Sequence, residues 1–198
     1  MDKQHFSGIL AAGGAFVAWG LLPVYWKSLA AVPAFEIMCH RVVWSAGLTA
    51  LLLLGSAAGR AELGAALRSR RDLGLLAVSS SVVGVNWFMY IWSVNAGHVL
   101  EASLGYYLNP LVNVFLGMVF FRDRLRPVQA LALGLAAAGV GVLVFALGRL
   151  PWLALGMAVT FGLYGMVRKL MTVGALPGLF VETAVLTLPA GGYLGWLL

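Results

Sequence analysis

Long apolar runs, each ended by a turn or a cluster of charge, recur seven times along this 198-residue chain. They cover residues 7–28, 33–54, 73–96, 99–121, 128–148, 150–172 and 178–198. An α-helix of about 20 residues, rising ~1.5 Å per residue, is long enough to cross roughly 30 Å of hydrocarbon. The pattern predicts an all-α polytopic membrane protein with about seven transmembrane helices. Residues 55–72, GSAAGRAELGAALRSRRD, interleave small, apolar and basic side chains and predict a short amphipathic helix at the membrane surface. The other linkers are short, which leaves no room for a soluble domain. The first run lacks an A-x-A cleavage site and carries Trp19, Pro23 and Trp26 deep within it, so it reads as a retained span rather than a signal peptide.

Composition points the same way. Apolar residues make up 62% of the chain, charged residues 10%, and the mean hydropathy is +0.94, whereas soluble domains are about a quarter charged. A soluble fold with so few charges would expose large apolar patches, and disorder requires low hydrophobicity, so both classes are excluded. The single cysteine, Cys39, forms no intrachain disulfide and says nothing about compartment.

The net charge of +6 would suit nucleic acid, but its placement does not. With the N-terminus in the cytoplasm, the inside loops hold Lys3, Arg60, Arg68, Arg70, Arg71, Arg122, Arg124, Arg126, Arg168 and Lys169, and the outside only Lys27 and Arg149. That asymmetry predicts a cytoplasmic N-terminus, an outer C-terminus and contact with anionic head groups of membrane lipids. No basic groove interleaved with aromatic side chains is present, so no nucleic-acid partner is expected.

A charged side chain at the centre of an inserted helix costs about 2.5–3.5 kcal/mol, so each one inside a run demands a reason. Glu36, His40 and Arg41 lie in the first half of the second run, Glu101 opens the fourth, and Glu182 opens the seventh. Helical spacing puts Glu36, His40, Val43 and Gly47 on one face, with Arg41 about 100° round from His40. Such a face suits a protein interior or a wet cavity. Glu36, Glu101 and Glu182 are also near enough to the interfaces to reach head groups, and Arg41 can do so only by a strained snorkel.

Residues 86–117, NWFMYIWSVNAGHVLEASLGYYLNPLVNVFLG, hold two polar stripes. Asn86, Tyr90, Ser93 and Gly97 follow one face of the third run; Tyr106, Asn109, Asn113 and Gly117 follow one face of the fourth. A tight turn at Ala96-Gly97 joins them, so the stripes can line one cavity in which aromatic rings stack on a flat or apolar substrate. Any single asparagine also serves as glue between helices, at about 0.6 kcal/mol per bond. Pro110 removes the helical bond that the Tyr106 carbonyl would accept, which predicts a kink there; Pro23 acts in the same way in the first run. Broken helices at membrane depth are a habit of transporters.

Small residues at Ala130, Gly134 and Ala138 predict a ridge for close helix packing on the fifth run. No phosphate-loop, dinucleotide, metalloprotease or nucleophile-elbow pattern occurs, nor any Cys/His cluster at metal spacing, so neither cofactor nor metal is expected. Cys39 and His40 project about 100° apart on a helix, too far for a nucleophile and its base. The chain is not expected to be an enzyme.

Shifted by 145 residues, the sequence lays Phe16, Trp19 and Gly20 over Phe161, Tyr164 and Gly165. The helix after each begins near a proline, Pro33 or Pro177, and soon carries a glutamate, Glu36 or Glu182. A five-span unit, residues 1–148, is then followed by the start of a second, residues 149–198. Because five is odd, the second copy inserts upside down.

The stretches AWGLLPVYWK (18–27), HRVVWS (40–45), the whole of 86–117, LPWLAL (150–155) and FGLYGMVRK (161–169) closely resemble the RarD group of EamA-type transporters, in the drug/metabolite transporter superfamily. The resemblance covers essentially the whole chain. It implies a bacterial inner-membrane permease for small molecules, built from two inverted five-helix repeats; RarD proteins are described as chloramphenicol-sensitivity-related permeases. With seven runs rather than ten, the chain is expected to be C-terminally incomplete, or else a variant that completes its cavity as a homodimer or with another chain. The leading expectation is alternating-access transport along a path lined by Glu36, His40, Arg41, Asn86, Tyr90, Glu101, Tyr106, Asn109 and Asn113, with Glu36 or Glu101 available to carry a coupling proton. The alternative is a non-transporting structural or regulatory membrane subunit.

Overall fold

A computed structural model describes residues 3–197, and every element of secondary structure in it is a helix. The side chains of Lys3 and Phe16, and the whole of Leu198, lie outside the described residues. The elements are α1 (Lys3–Ser28), α2 (Ala34–Leu54), α3 (Ala57–Arg68), α4 (Arg70–Asn95), α5 (Val99–Phe121), α6 (Pro127–Leu147), α7 (Trp152–Lys169) and α8 (Ala175–Leu197). The protein is a multi-pass membrane protein: six of these helices, α1, α2, α4, α5, α6 and α8, are long and apolar enough to cross a bilayer. α7 has 18 residues and ends in Arg168 and Lys169; at ~1.5 Å per residue it reaches about 27 Å.

Local chemistry sets the boundaries. The amphipathic segment after α2 is α3, started by Ser56, whose hydroxyl accepts from the Gly59 amide at 3.0 Å. Ser69 does the same for α4, accepting from the Asp72 amide at 3.2 Å. The α4–α5 turn falls at Ala96-Gly97, as the sequence predicts, and Gly97 takes φ 82°, which a residue with a Cβ adopts only under strain. Pro127 occupies the first turn of α6, where its missing N–H costs nothing. Pro23 and Pro110 lie inside α1 and α5, and α8 carries a third interior proline, Pro189.

The largest core joins six helices: Trp26 of α1, Ile37, Cys39 and Val42 of α2, Tyr90, Ile91 and Val94 of α4, Ala102 of α5, Met157 of α7 and Ala190 of α8. Leu104 and Leu108 of α5 meet Ala154 and Ala158 of α7 in a second. Helices approach closely where glycine faces a neighbour. A Cβ at Gly162 of α7 would lie 2.8 Å from Val112 Cγ1, and one at Gly105 of α5 would lie 3.3 Å from the Ala154 carbonyl oxygen. The ridge expected on α6 is not used in this way. Ala130, Gly134 and Ala138 are exposed, and α6 buries no residue among those described. Small-residue spacing shows that a helix can be approached closely, and here the neighbour sits elsewhere.

Candidate functional site

The polar triad of the second span opens onto one groove. Tyr25, Trp26, Glu36, His40, Arg41 and Trp44 line a half-open space of about 620 Å³ between the end of α1 and the first half of α2. α2 begins directly after Pro33, which ends the turns that follow α1 and fixes where the first turn of α2 starts. From there Glu36 and His40 follow one another by a single turn, and Arg41 turns toward α4.

Arg41 is held by aromatic rings rather than by a counter-charge. Its guanidinium carbon lies 4.3 Å from the centroid of the Trp87 ring and 5.7 Å from that of Trp26, a cation–π arrangement worth about 0.5–2 kcal/mol. Among the described residues it forms no ion pair and no hydrogen bond. Its five N–H donors are therefore unspent. Tyr90 and Tyr106 meet edge to face at 5.7 Å and stand close enough to interact with its charge. The Trp26 ring is 5% exposed, and its buried indole N–H also lacks a described acceptor.

The other expected site residues are distributed differently. Asn86 spends both amide protons across α7, donating to the Met157 carbonyl and the Thr160 hydroxyl, each at 2.8 Å. The side-chain carbonyl of Asn109 is buried and unpartnered among the described residues. Asn113 is exposed and lines a second groove of about 430 Å³ with Gly117, Asp123, Arg124 and Gln129, at the α5–α6 turn. Glu101 is paired with Arg149, and His98 Nδ1 lies 3.3 Å from the same carboxylate oxygen. Thus Glu36, His40, Arg41, Tyr90 and Tyr106 come together, whereas Asn86, Glu101 and Asn113 stand apart from them.

The sequence leaves Glu182 open between the head-group interface and the protein interior, and the structure buries it completely. With 0% exposure, Glu182 accepts from Ser79 Oγ at 2.6 Å and from the Tyr164 hydroxyl at 3.2 Å, and Arg168 stands 3.7 Å away. Arg168 also donates to the Gly174 carbonyl at 3.1 Å and packs directly on Gly178, where a Cβ would have to displace the guanidinium. Nearby, Thr172 donates to Asp72 at 2.9 Å, and Lys169 lies 3.9 Å over the Phe121 ring. One end of the bundle is therefore laced with polar contacts between α4, α5, α7 and α8. The visible signal was the one-turn spacing of Tyr164 and Arg168; counting Arg168 as a loop charge hid it.

The described helices form a multi-pass membrane bundle with a polar, aromatic-walled groove between α1 and α2. The EamA-like transporter family matches residues 6–145, and the chain belongs to that family. The chain is 47% identical to an uncharacterized transporter of Vibrio cholerae serotype O1, over 99% of this chain and 65% of that protein. It is 46% identical to Protein RarD of Streptomyces exfoliatus, over 99% of this chain and 62% of that one, and 43% identical to Protein RarD of Escherichia coli K12, over 97% and 64%. It is thus a RarD-type member of the family, and it spans a little under two thirds of the length of these relatives. No solved structure matches the chain.

Proposed function

We propose that the protein is a secondary permease that moves small molecules across the bacterial cytoplasmic membrane by alternating access, with the groove around Arg41 as its substrate path. One observation carries this: an arginine inside a spanning helix that faces a groove with no counter-ion among the described residues. Such a charge costs about 2.5–3.5 kcal/mol at the centre of a helix, and a purely structural arginine recovers that cost through a carboxylate or backbone partner. Arg41 does not.

Glu36, His40, Tyr90 and Tyr106 share that path, and Asn109 supplies an unspent acceptor on α5. Glu101 is already paired with Arg149, which leaves Glu36 as the carboxylate placed to carry a coupling proton. The basic loops favour a cytoplasmic N-terminus. The packing of α2 against α8 suits a first repeat, residues 1–148, followed by the start of an inverted second, residues 149–198. Membrane lipids surround the helices, and a second copy or another chain is the partner such a bundle would take.

The test is flux in proteoliposomes. Saturable uptake of a small organic solute that is lost in R41Q, with insertion intact, supports the path; uptake in R41Q equal to that of the parent protein removes it.

A further inference from the structure

We infer that the Arg41 groove is an oxyanion subsite, so that the substrate carries a single carboxylate-type group on a flat, apolar body. The inference rests on the permease reading and names its substrate class.

The physical case begins with what Arg41 lacks. A guanidinium offers five donors in a planar fork that matches two oxyanion oxygens at once. Here two tryptophan rings take up its π-stacking capacity, while the donors themselves meet no described acceptor. The fork is thus pre-oriented without being satisfied, the condition in which an incoming anion gains most.

The walls define the rest of the ligand. Tyr25, Trp26 and Trp44 present ring surface to the groove, and Tyr90 and Tyr106 stand behind Arg41. Stacking on such surfaces favours a flat ring over a branched aliphatic chain. Glu36 limits the charge. It lies five residues before Arg41 on α2, about 7.5 Å along the axis, and lines the same groove without pairing with Arg41. One oxyanion therefore finds the fork, and a second negative group on the same body meets Glu36.

Phenylacetate, phenylacetamide and phenethylamine share one body and differ in charge. Titrated calorimetrically into the protein in lipid nanodiscs, phenylacetate should bind about tenfold or more tighter than the amide, one decade in Kd, and the amine should bind least. R41Q should abolish the preference for the acid, R41K should keep part of it, and W87F, which loosens the ring that orients the fork, should reduce it. Equal binding of acid and amide, or an acid preference that survives in R41Q, overturns the inference. If R41Q does not fold, R41K carries the test: a preference undiminished there shows that the fork is not what recognises the acid. Proteoliposome flux separates the two readings. Phenylacetate that binds without crossing keeps the subsite and removes the permease, whereas saturable amide flux with no acid preference keeps the permease and removes the subsite.

Discussion

Ser79 donates a 2.6 Å hydrogen bond to Glu182, joining α4 to α8 across 103 residues of sequence, with both side chains fully buried. Tyr164 and Arg168 complete the shell from α7, so one carboxylate ties three helices together. Removing it takes the counter-charge from the Arg168 guanidinium, whose side chain is only 17% exposed, and leaves it the Gly174 carbonyl. E182L should cost about 3 kcal/mol, as breaking a buried pair from one side does. S79A should cost about 1–2 kcal/mol, since one charge-assisted bond is lost and the others remain. Thermal unfolding in detergent gives the order, with E182Q between the parent and E182L because glutamine keeps hydrogen-bonding capacity toward Ser79 and Tyr164.

The two asparagines of the middle helices should respond in opposite ways. N86L removes two donors that bridge α4 to α7 and leaves the Met157 carbonyl and Thr160 with less, so it should lower stability by about 1 kcal/mol. N109L removes a buried oxygen that has no described partner, and an apolar replacement there should leave stability within about 0.5 kcal/mol or raise it. On the path proposed for substrate, N109L should nonetheless reduce flux. Paired unfolding and uptake measurements separate the two roles.

Close packing of α5 on α7 depends on Gly162. A leucine there would drive into Val112 and Leu116, whose atoms stand 2.8 and 3.0 Å from the nearest possible Cβ. G162L should therefore cost about 1–3 kcal/mol through overpacking. G134L on α6, which meets nothing within 4 Å, should be nearly neutral. Unfolding of the two variants side by side checks the contrast.

Orientation can be read by impermeant thiol labelling of intact cells. Cys39 is 2% exposed and should stay silent, so a cysteine at Gly64 in α3 or at Leu150 reports cleanly. Gly148 is a poorer position, since its φ of 67° disfavours a side chain. With a cytoplasmic N-terminus, position 150 labels from outside and position 64 does not. The reverse pattern would invert the topology.

Much of the bundle was legible in the chain because bilayer thickness imposes it. The expected runs 33–54, 99–121 and 128–148 differ by at most one residue at either end from α2, α5 and α6, and α3 lies within the amphipathic segment 55–72. Arg41 stood out because a charge within a span is costly wherever its partners lie. The Glu182 shell was not legible, since it needs Ser79, Tyr164 and Arg168 from two other helices to converge, and nothing local in the sequence specifies that packing. The α6 ridge meets no neighbour among the described residues for a related reason: spacing describes one surface, and contact requires two.

The most direct measurement is uptake of labelled phenylacetate into proteoliposomes holding the purified protein or its R41Q variant, beside empty liposomes. Saturable uptake by the parent protein that falls about tenfold or more in R41Q, one decade or above, is the expected result. Uptake by R41Q indistinguishable from that of the parent would contradict a substrate path through Arg41.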